Sequence, residues 1–563
     1  MQYPAGPGFV SVRRRVFLPL PAPKTDPLAG DATQRWLWAF LLLGIAVRAI
    51  RYALRFPLWE DECFLSANLL DRGYVELMGG LDYGQVCPLV FLWVQRTMVG
   101  LLGFHEYSLR LFPFLCGLGS LLVFRHLAGR LLQGATLVIA VAIFSVSYPM
   151  IRYSAEAKQY GSDLLFGLLM VTLAVQWWRC PENRRWLWAL AAVVPVAVGI
   201  SFPAVFVGGG LSLFLAMILW QTRDRRGWVP WMVLNLLLLG SFAGLFALSA
   251  GNQSARTLEF MQDCWRAGFP PLSRPLELVR WLIVTHTSDL VAYPFGGHNG
   301  GSTLTFLVCA AGVVVLARRR QWPLLVLCLA PLGLNFAAAA MHRYPYGQMV
   351  KFQFYLAPAF CILAGIGAAR VLSRPREGRP ARTAPVAIAL AFLVLFGAGS
   401  AVRDVLSPAK STSVRRARDF ARWFWFTTQF DGEVACLKTD LDRRFSPRTF
   451  QWGLSAMYLC NQRIYSPRHA RREPLRWERV AADRPLRCVE YRATSQPYDR
   501  EGRDAWLASM TARYDLVAVE RYPFVLGDRT DEPARELDYL EVYKFVPKPV
   551  QTAQRAGGQG PSG

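Results

Sequence analysis

Three short runs of the sequence hold the side chains best suited to chemistry. The first, Leu58-Trp59-Glu60-Asp61-Glu62, sets three carboxylates within one helical turn just after an apolar stretch. Adjacent like charges in partly dehydrated surroundings raise one another's pKa, and a carboxyl group tuned in this way suits a general base. The same run also suits the acidic start of a helix, and both readings can hold together. The second run, Arg152-Tyr153-Ser154-Ala155-Glu156-Ala157-Lys158-Gln159-Tyr160, is a charged turn between two strongly apolar segments. Ionisable groups in such a setting are costly and usually face a cavity or a polar ligand. Arg152 and Lys158 are therefore candidates for holding an anion, with mutual ion pairing around Glu156 as the competing reading. The third run, His342-Arg343-Tyr344-Pro345-Tyr346-Gly347, has Lys351 just beyond it. Lys351 either meets an anion or carries its ammonium to lipid headgroups on an apolar stem. His342 and the carboxylates show no metal-ligand spacing.

The elements that must position these runs are membrane helices. Of the 563 residues, 53% are hydrophobic, with 19 Trp and 35 Phe, which points to a membrane protein. Uncharged blocks at 135–151, 186–202 and 304–317 approach the roughly 20 residues needed to cross a bilayer. The net charge of +24 would raise nucleic-acid binding in a soluble chain. Its distribution argues otherwise, because Arg-rich clusters occupy alternate short loops: Arg13–Arg15, Arg125 with Arg130, Arg184–Arg185, Arg223–Arg226, Arg318–Arg320 and Arg370–Arg382. That is the positive-inside pattern, with the N-terminus cytoplasmic. No nucleic-acid partner is expected.

Apolar runs and Arg loops together predict about eleven spans. They lie near 34–53, 108–131, 134–151, 160–178, 186–202, 204–220, 228–249, 302–317, 322–340, 353–371 and 385–402. The expected fold is an all-α polytopic membrane bundle in the inner (plasma) membrane, with a small extracytoplasmic α/β domain at its C-terminal end. The predicted organisation is a cytoplasmic segment 1–33, a transmembrane domain 34–402, the α/β domain 403–550 and a disordered tail 551–563. External loops are expected at 54–107, 250–301 and 341–352. Within loop 54–107, residues 61–72 and 88–103 read as amphipathic helices at the interface. The polar C-terminal part has strand-like runs at 433–441, 514–522 and 539–546 and helix-like runs at 417–426 and 501–514. The start, RRRVFL at 13–18, leads into Pro-rich sequence rather than an apolar core, so no cleaved signal is expected. Of the 11 Cys, Cys63, Cys87, Cys264, Cys436, Cys460 and Cys488 fall outside the spans, where an envelope compartment permits disulfides. Walker A, dinucleotide and zinc-protease motifs are absent.

With these residues in view, the chain resembles the class C glycosyltransferases, in particular the protein O-mannosyltransferases and the lipid A aminoarabinose transferases. The resemblance rests on Asp61-Glu62 opening the first external loop, on PLVFLWVQRTMVGLLGFHEYSLRLFPFLCGLGSLLVFRHLAGRLL at 88–132, and on YSAEAKQY at 153–160. The last is similar to the family's Tyr-x-x-Glu-x-Arg-x-Tyr element. The resemblance covers residues 30–370 with decreasing clarity. It implies transfer of a sugar from a polyprenyl-phosphate donor to a lipid, glycan or protein acceptor, with interfacial helices and a variable external domain. It also implies Asp61 as base or acceptor-positioning group with Glu62 beside it, and Arg152, Glu156, Lys158, Tyr160, Arg343 and Lys351 as donor contacts. Related enzymes carry a Lys-Pro-Pro element before the second interfacial helix, where this chain has Val86-Cys87-Pro88-Leu89. The phosphate contact would then shift to Lys158, Arg343 or Lys351. A phosphate leaving group makes ATP unnecessary, and the scheme requires no cofactor or divalent metal.

Three rivals remain in view. A flippase or transporter of lipid-linked sugars would be expected to show internal repeats and helices broken at mid-membrane. A non-catalytic scaffold would use residues 403–563 to bind an envelope partner. An oligosaccharide ligase or polymerase would place its key cations in a large late external loop.

Overall fold

The computed structural model of the protein describes residues 30–250, 259, 262–297, 300–373, 383–410, 412–430, 433–437, 451–465, 480, 483–492, 500–523 and 539–549. Most of the expected segment 1–33 and all of the expected tail 551–563 lie outside the described residues. The chain divides into two compact units. One holds residues up to Phe56 and Phe64–Pro408; the other joins Pro57–Cys63 to the residues from Ala409 onward.

The first unit is helical. In chain order the helices are α1 (Asp31–Ala53), α2 (Glu60–Ser66, divided between the units after Cys63), α3 (Asn68–Asp71), α4 (Leu89–Leu102), α5 (Glu106–Leu131), α6 (Gly134–Val146), α7 (Tyr148–Tyr153) and α8 (Tyr160–Arg179). There follow α9 (Arg185–Ile200), α10 (Ala204–Thr222), α11 (Trp228–Leu245), α12 (Pro275–His286), α13 (Gly301–Arg318), α14 (Trp322–Ala340), α15 (Ala357–Leu372) and α16 (Thr383–Leu406). Among the described residues, nine helical stretches are long and apolar enough to cross a bilayer: α1, α5, α8, α10, the stretch Arg225–Leu248 that contains α11, α13, α14, the stretch Val350–Leu372 that ends in α15, and α16. They coincide with nine of the expected spans. The expected spans at 134–151 and 186–202 form shorter helices, α6 of 13 residues and α9 of 16.

The early end of α6 has a local cause. Pro149 has no N–H to donate to the Ser145 carbonyl, and the Tyr148 N–H turns instead to the Pro294 carbonyl at 3.0 Å. The carbonyls of Phe144 and Ser145 therefore lose their helical partners. Arg48, fully buried on α1, supplies replacements: its guanidinium donates to Ser145 O at 2.8 Å and Phe144 O at 3.3 Å. A charge inside the bundle is thus held by helix-end carbonyls, where the helix dipole favours a cation.

Packing around this break is dense. Phe124 of α5 stacks on Phe144 of α6 with centroids 4.1 Å apart. Small residues bring α13 and α15 into backbone contact: a Cβ on Gly312 would run into the Leu363 carbonyl, and one on Gly367 into the Val308 carbonyl. Lipid offers as much apolar contact as another helix, so membrane helices associate through such close approach. A buried ion pair, Arg51 to Asp404 at 2.7 Å, joins the C-terminal ends of α1 and α16.

In the second unit the residues after 409 form α17 (Thr412–Phe430), β1 (Val434–Leu437), α18 (Gln451–Tyr465), β2 (Leu486–Arg492), α19 (Arg500–Thr511), β3 (Tyr514–Pro523) and β4 (Tyr539–Pro547). The sheet order is β1-β2-β4-β3, with β1 parallel to β2 and the other pairs antiparallel. One face buries Cys436, Leu486, Cys488, Tyr543 and Phe545 with Trp506 and Met510 of α19. The three expected strands and two expected helices are present, joined by β2 and α18, which the sequence pattern did not reveal.

Candidate functional site

The acidic run lies at the start of α2. Trp59 is its N-cap: the Cys63 N–H bonds the Trp59 carbonyl at 3.0 Å, and the Trp59 N–H donates back to Glu62 Oε2 at 3.2 Å. A glutamate at the third helical position reaching back to the cap N–H is half of a capping box. Glu62 is fully buried while doing so. Helix start and acidic run thus coincide, and the capping is done by Glu62. Burial and the neighbouring Asp61 charge push the Glu60 carboxyl up, while the Lys410 ammonium works against them.

In the first unit, the charged turn runs from α7 to α8. Arg152 Nε donates to Glu156 Oε1 at 2.6 Å. Burial weakens the Arg152 guanidinium's hold on its proton, and the Glu156 carboxylate more than restores it, so its pKa is raised. Lys158, only 4% exposed, donates from Nζ to Gln85 Oε1 at 2.7 Å. The Cys87 thiol faces Gln159 Oε1 at 3.8 Å. The 85–87 loop therefore lies directly against the 158–159 turn. The pairing of Arg152 with Glu156 is realised, and the Lys158 ammonium reaches the Gln85 amide.

Tyr160 begins α8 and packs edge-on against Tyr153, which in turn packs on Phe354. Lys351 points its ammonium at three rings, with centroids of Trp265 at 5.0 Å, Phe352 at 5.6 Å and Tyr160 at 6.0 Å. An ammonium over aromatic faces is attracted by their quadrupoles, a contact worth about 0.5–2 kcal/mol depending on desolvation. Lys351 and Tyr160 are thus brought together, adjacent in sequence to the Lys158 turn. Arg343 is exposed, and its side chain joins none of these contacts. His342 packs against Phe269.

Several polar residues beside these went unnoticed in the sequence. Asp163 is buried one turn into α8, with the buried Ser201 near it. Burial, with the Asp163 charge behind it, holds the Tyr344 phenol well above its ordinary pKa. Gln353 donates to Asn335 Oδ1 at 3.1 Å and to Pro345 O at 2.7 Å, inside the bundle. The available signal was a lone carboxylate and two amides within otherwise apolar spans. Gln85 gave none, because its role depends on a contact 73 positions away.

Residues 86–248 match the family described as dolichyl-phosphate-mannose-protein mannosyltransferase. No curated protein matches the chain. Among solved structures, the fold is similar to that of ArnT from Cupriavidus metallidurans bound to undecaprenyl phosphate. The two are 12% identical with a TM-score of 0.50, over 91% of this chain and 98% of that one. The apo state of the same protein gives 12% identity and a TM-score of 0.48 over the same shares. The Archaeoglobus fulgidus oligosaccharyltransferase in complex with Zn and sulfate gives 12% identity and a TM-score of 0.45, over 74% of this chain and 61% of that one. The resemblance read from the residues is borne out by the family match, and the fold is that of an ArnT-like membrane protein.

Proposed function

We propose that the protein is an integral membrane glycosyltransferase that takes a sugar from a polyprenyl-phosphate donor and passes it to a hydroxyl of an envelope lipid, glycan or protein. The observation that carries this reading is the charged turn 152–160. It is buried at the end of apolar helices, it brings two cations, Arg152 and Lys158, and the Glu156 carboxylate together, and it lies inside the stretch that matches the mannosyltransferase family. Ionisable groups at such a place are costly and usually face a cavity or a polar ligand. A lipid-linked phosphate is an anion that arrives from the membrane.

In this reading the acceptor oxygen attacks the anomeric carbon from the face opposite the phosphate, and the centre inverts. Asp61 takes the proton from that oxygen. The carbon–oxygen bond to phosphate breaks, and its electron pair leaves on the phosphate. Lys158 and Lys351 neutralise the charge that grows there, with Arg343 as a further exposed cation. Arg152 and Glu156 act as a pair that sets the shape of the turn. Tyr160 supplies an aromatic wall beside Lys351. The 85–87 loop, with Cys87 where related enzymes carry a lysine, leans on the Lys158 turn, so Lys158 takes over the phosphate contact. The reaction runs on the outer side of the inner membrane, with the N-terminus cytoplasmic and residues 403–550 outside.

The test is Asp61→Asn in purified protein. Its melting curve should match wild type, while release of polyprenyl phosphate from a labelled sugar donor falls by at least about a hundredfold. Turnover close to wild type would remove Asp61 from the mechanism.

A further inference from the structure

Helix α2 is 7 residues long. A helix of that length does not hold itself in water, so its placement must come from contacts elsewhere. Within the second unit those contacts come from far along the chain. The Lys410 ammonium lies over the Trp59 ring, the N-cap of α2. Its positive charge acts on Glu60 against burial and the Asp61 charge. The Cys460 thiol of α18 donates to the Cys63 carbonyl at 3.6 Å, and both cysteines are fully buried. The segment that carries the carboxylates thus clusters with the residues after 409 rather than with the helices on either side of it.

We infer that Lys410 is a positioning residue for the acidic run: stacked on Trp59, it holds the start of α2 and so fixes the direction in which the Asp61 carboxylate leaves the helix. Three carboxylates in one turn repel one another, and a cation set on the capping residue offsets that repulsion where it is greatest. A ring that binds the cation face-on also fixes its position more sharply than an exposed ion pair does, since long exposed side chains lose little by moving. The C-terminal domain acquires a role from this: it carries the group that orients the proposed base. The inference rests on the reading of Asp61 given above.

Hydrogen–deuterium exchange over residues 57–66 tests it in the full-length protein in detergent, comparing wild type, Lys410→Met and Lys410→Arg. Lys410 is exposed, so both variants should melt with wild type. The methionine variant should exchange about tenfold faster over this segment alone, and arginine, which also stacks on indole, should restore protection. Turnover should follow the same order, with kcat falling in Lys410→Met while the donor KM stays put. Unchanged exchange in Lys410→Met would overturn the inference. So would equal loosening by both substitutions, which would mean that shape rather than charge holds the segment. The exchange measurement involves no sugar chemistry. An active Asp61→Asn protein would therefore sink the proposed function and leave the Lys410 result to stand or fall alone.

Discussion

Asp61 and Glu62 are neighbours with different work. Glu62 is buried and spends an oxygen on the Trp59 N–H, as a helix start requires. The proposed base role, which the family resemblance assigns to Asp61, leaves Glu62 to the cap. The helix start was legible from residue type; that Glu62 rather than its neighbours does the capping needed the geometry of the cap. The charged turn separates in a similar way. Arg152 is neutralised by Glu156, and Lys158 rests on Gln85. If Lys158 receives the phosphate, Lys158→Met should raise the donor KM by about tenfold to a hundredfold, the cost of one charge-assisted hydrogen bond. The melting temperature should change little, since methionine fills the same volume. Steady-state kinetics with a labelled polyprenyl-phosphate sugar would show it, and an unchanged KM would take Lys158 out of the phosphate contact.

At the scale of elements, local rules account for most of what was foreseen. Nine spans were legible because long uncharged runs have no other stable home. The shortness of α6 was less so, although Pro149 was in plain view. A proline within an apolar run is common in membrane helices, and only the partners show whether the helix continues. Here Tyr148 bonds Pro294 and Arg48 takes the freed carbonyls. The approach of α13 to α15 through Gly312 and Gly367 likewise depends on residues some fifty positions apart. Gly367→Val should drive a side chain into the Val308 carbonyl and cost about 1–3 kcal/mol or more. Size-exclusion profiles of detergent extracts should then show aggregate in place of a single peak. A monodisperse Gly367→Val protein that melts with wild type would contradict the packing described.

At the scale of the whole molecule, one of the two compact units is built from two separate stretches of the chain. The first unit runs to Pro408, while the seven residues Pro57–Cys63 belong with those from Ala409 onward. No periodicity announces this, because it rests on contacts such as Cys460 to Cys63, 397 positions apart. A C-terminal α/β domain was legible from alternating strands and amphipathic helices, whereas its partnership with the acidic run was not. The central claim concerns the chemistry of the assembled protein. Its most direct test is to place the purified protein in liposomes with a panel of labelled polyprenyl-phosphate sugars and an envelope extract, without nucleotide or ATP. Free polyprenyl phosphate should appear together with a sugar-bearing product in wild type and be lost in Asp61→Asn. Movement of the intact lipid-linked sugar between leaflets, with no phosphate released from any donor, would contradict the account and make the protein a flippase.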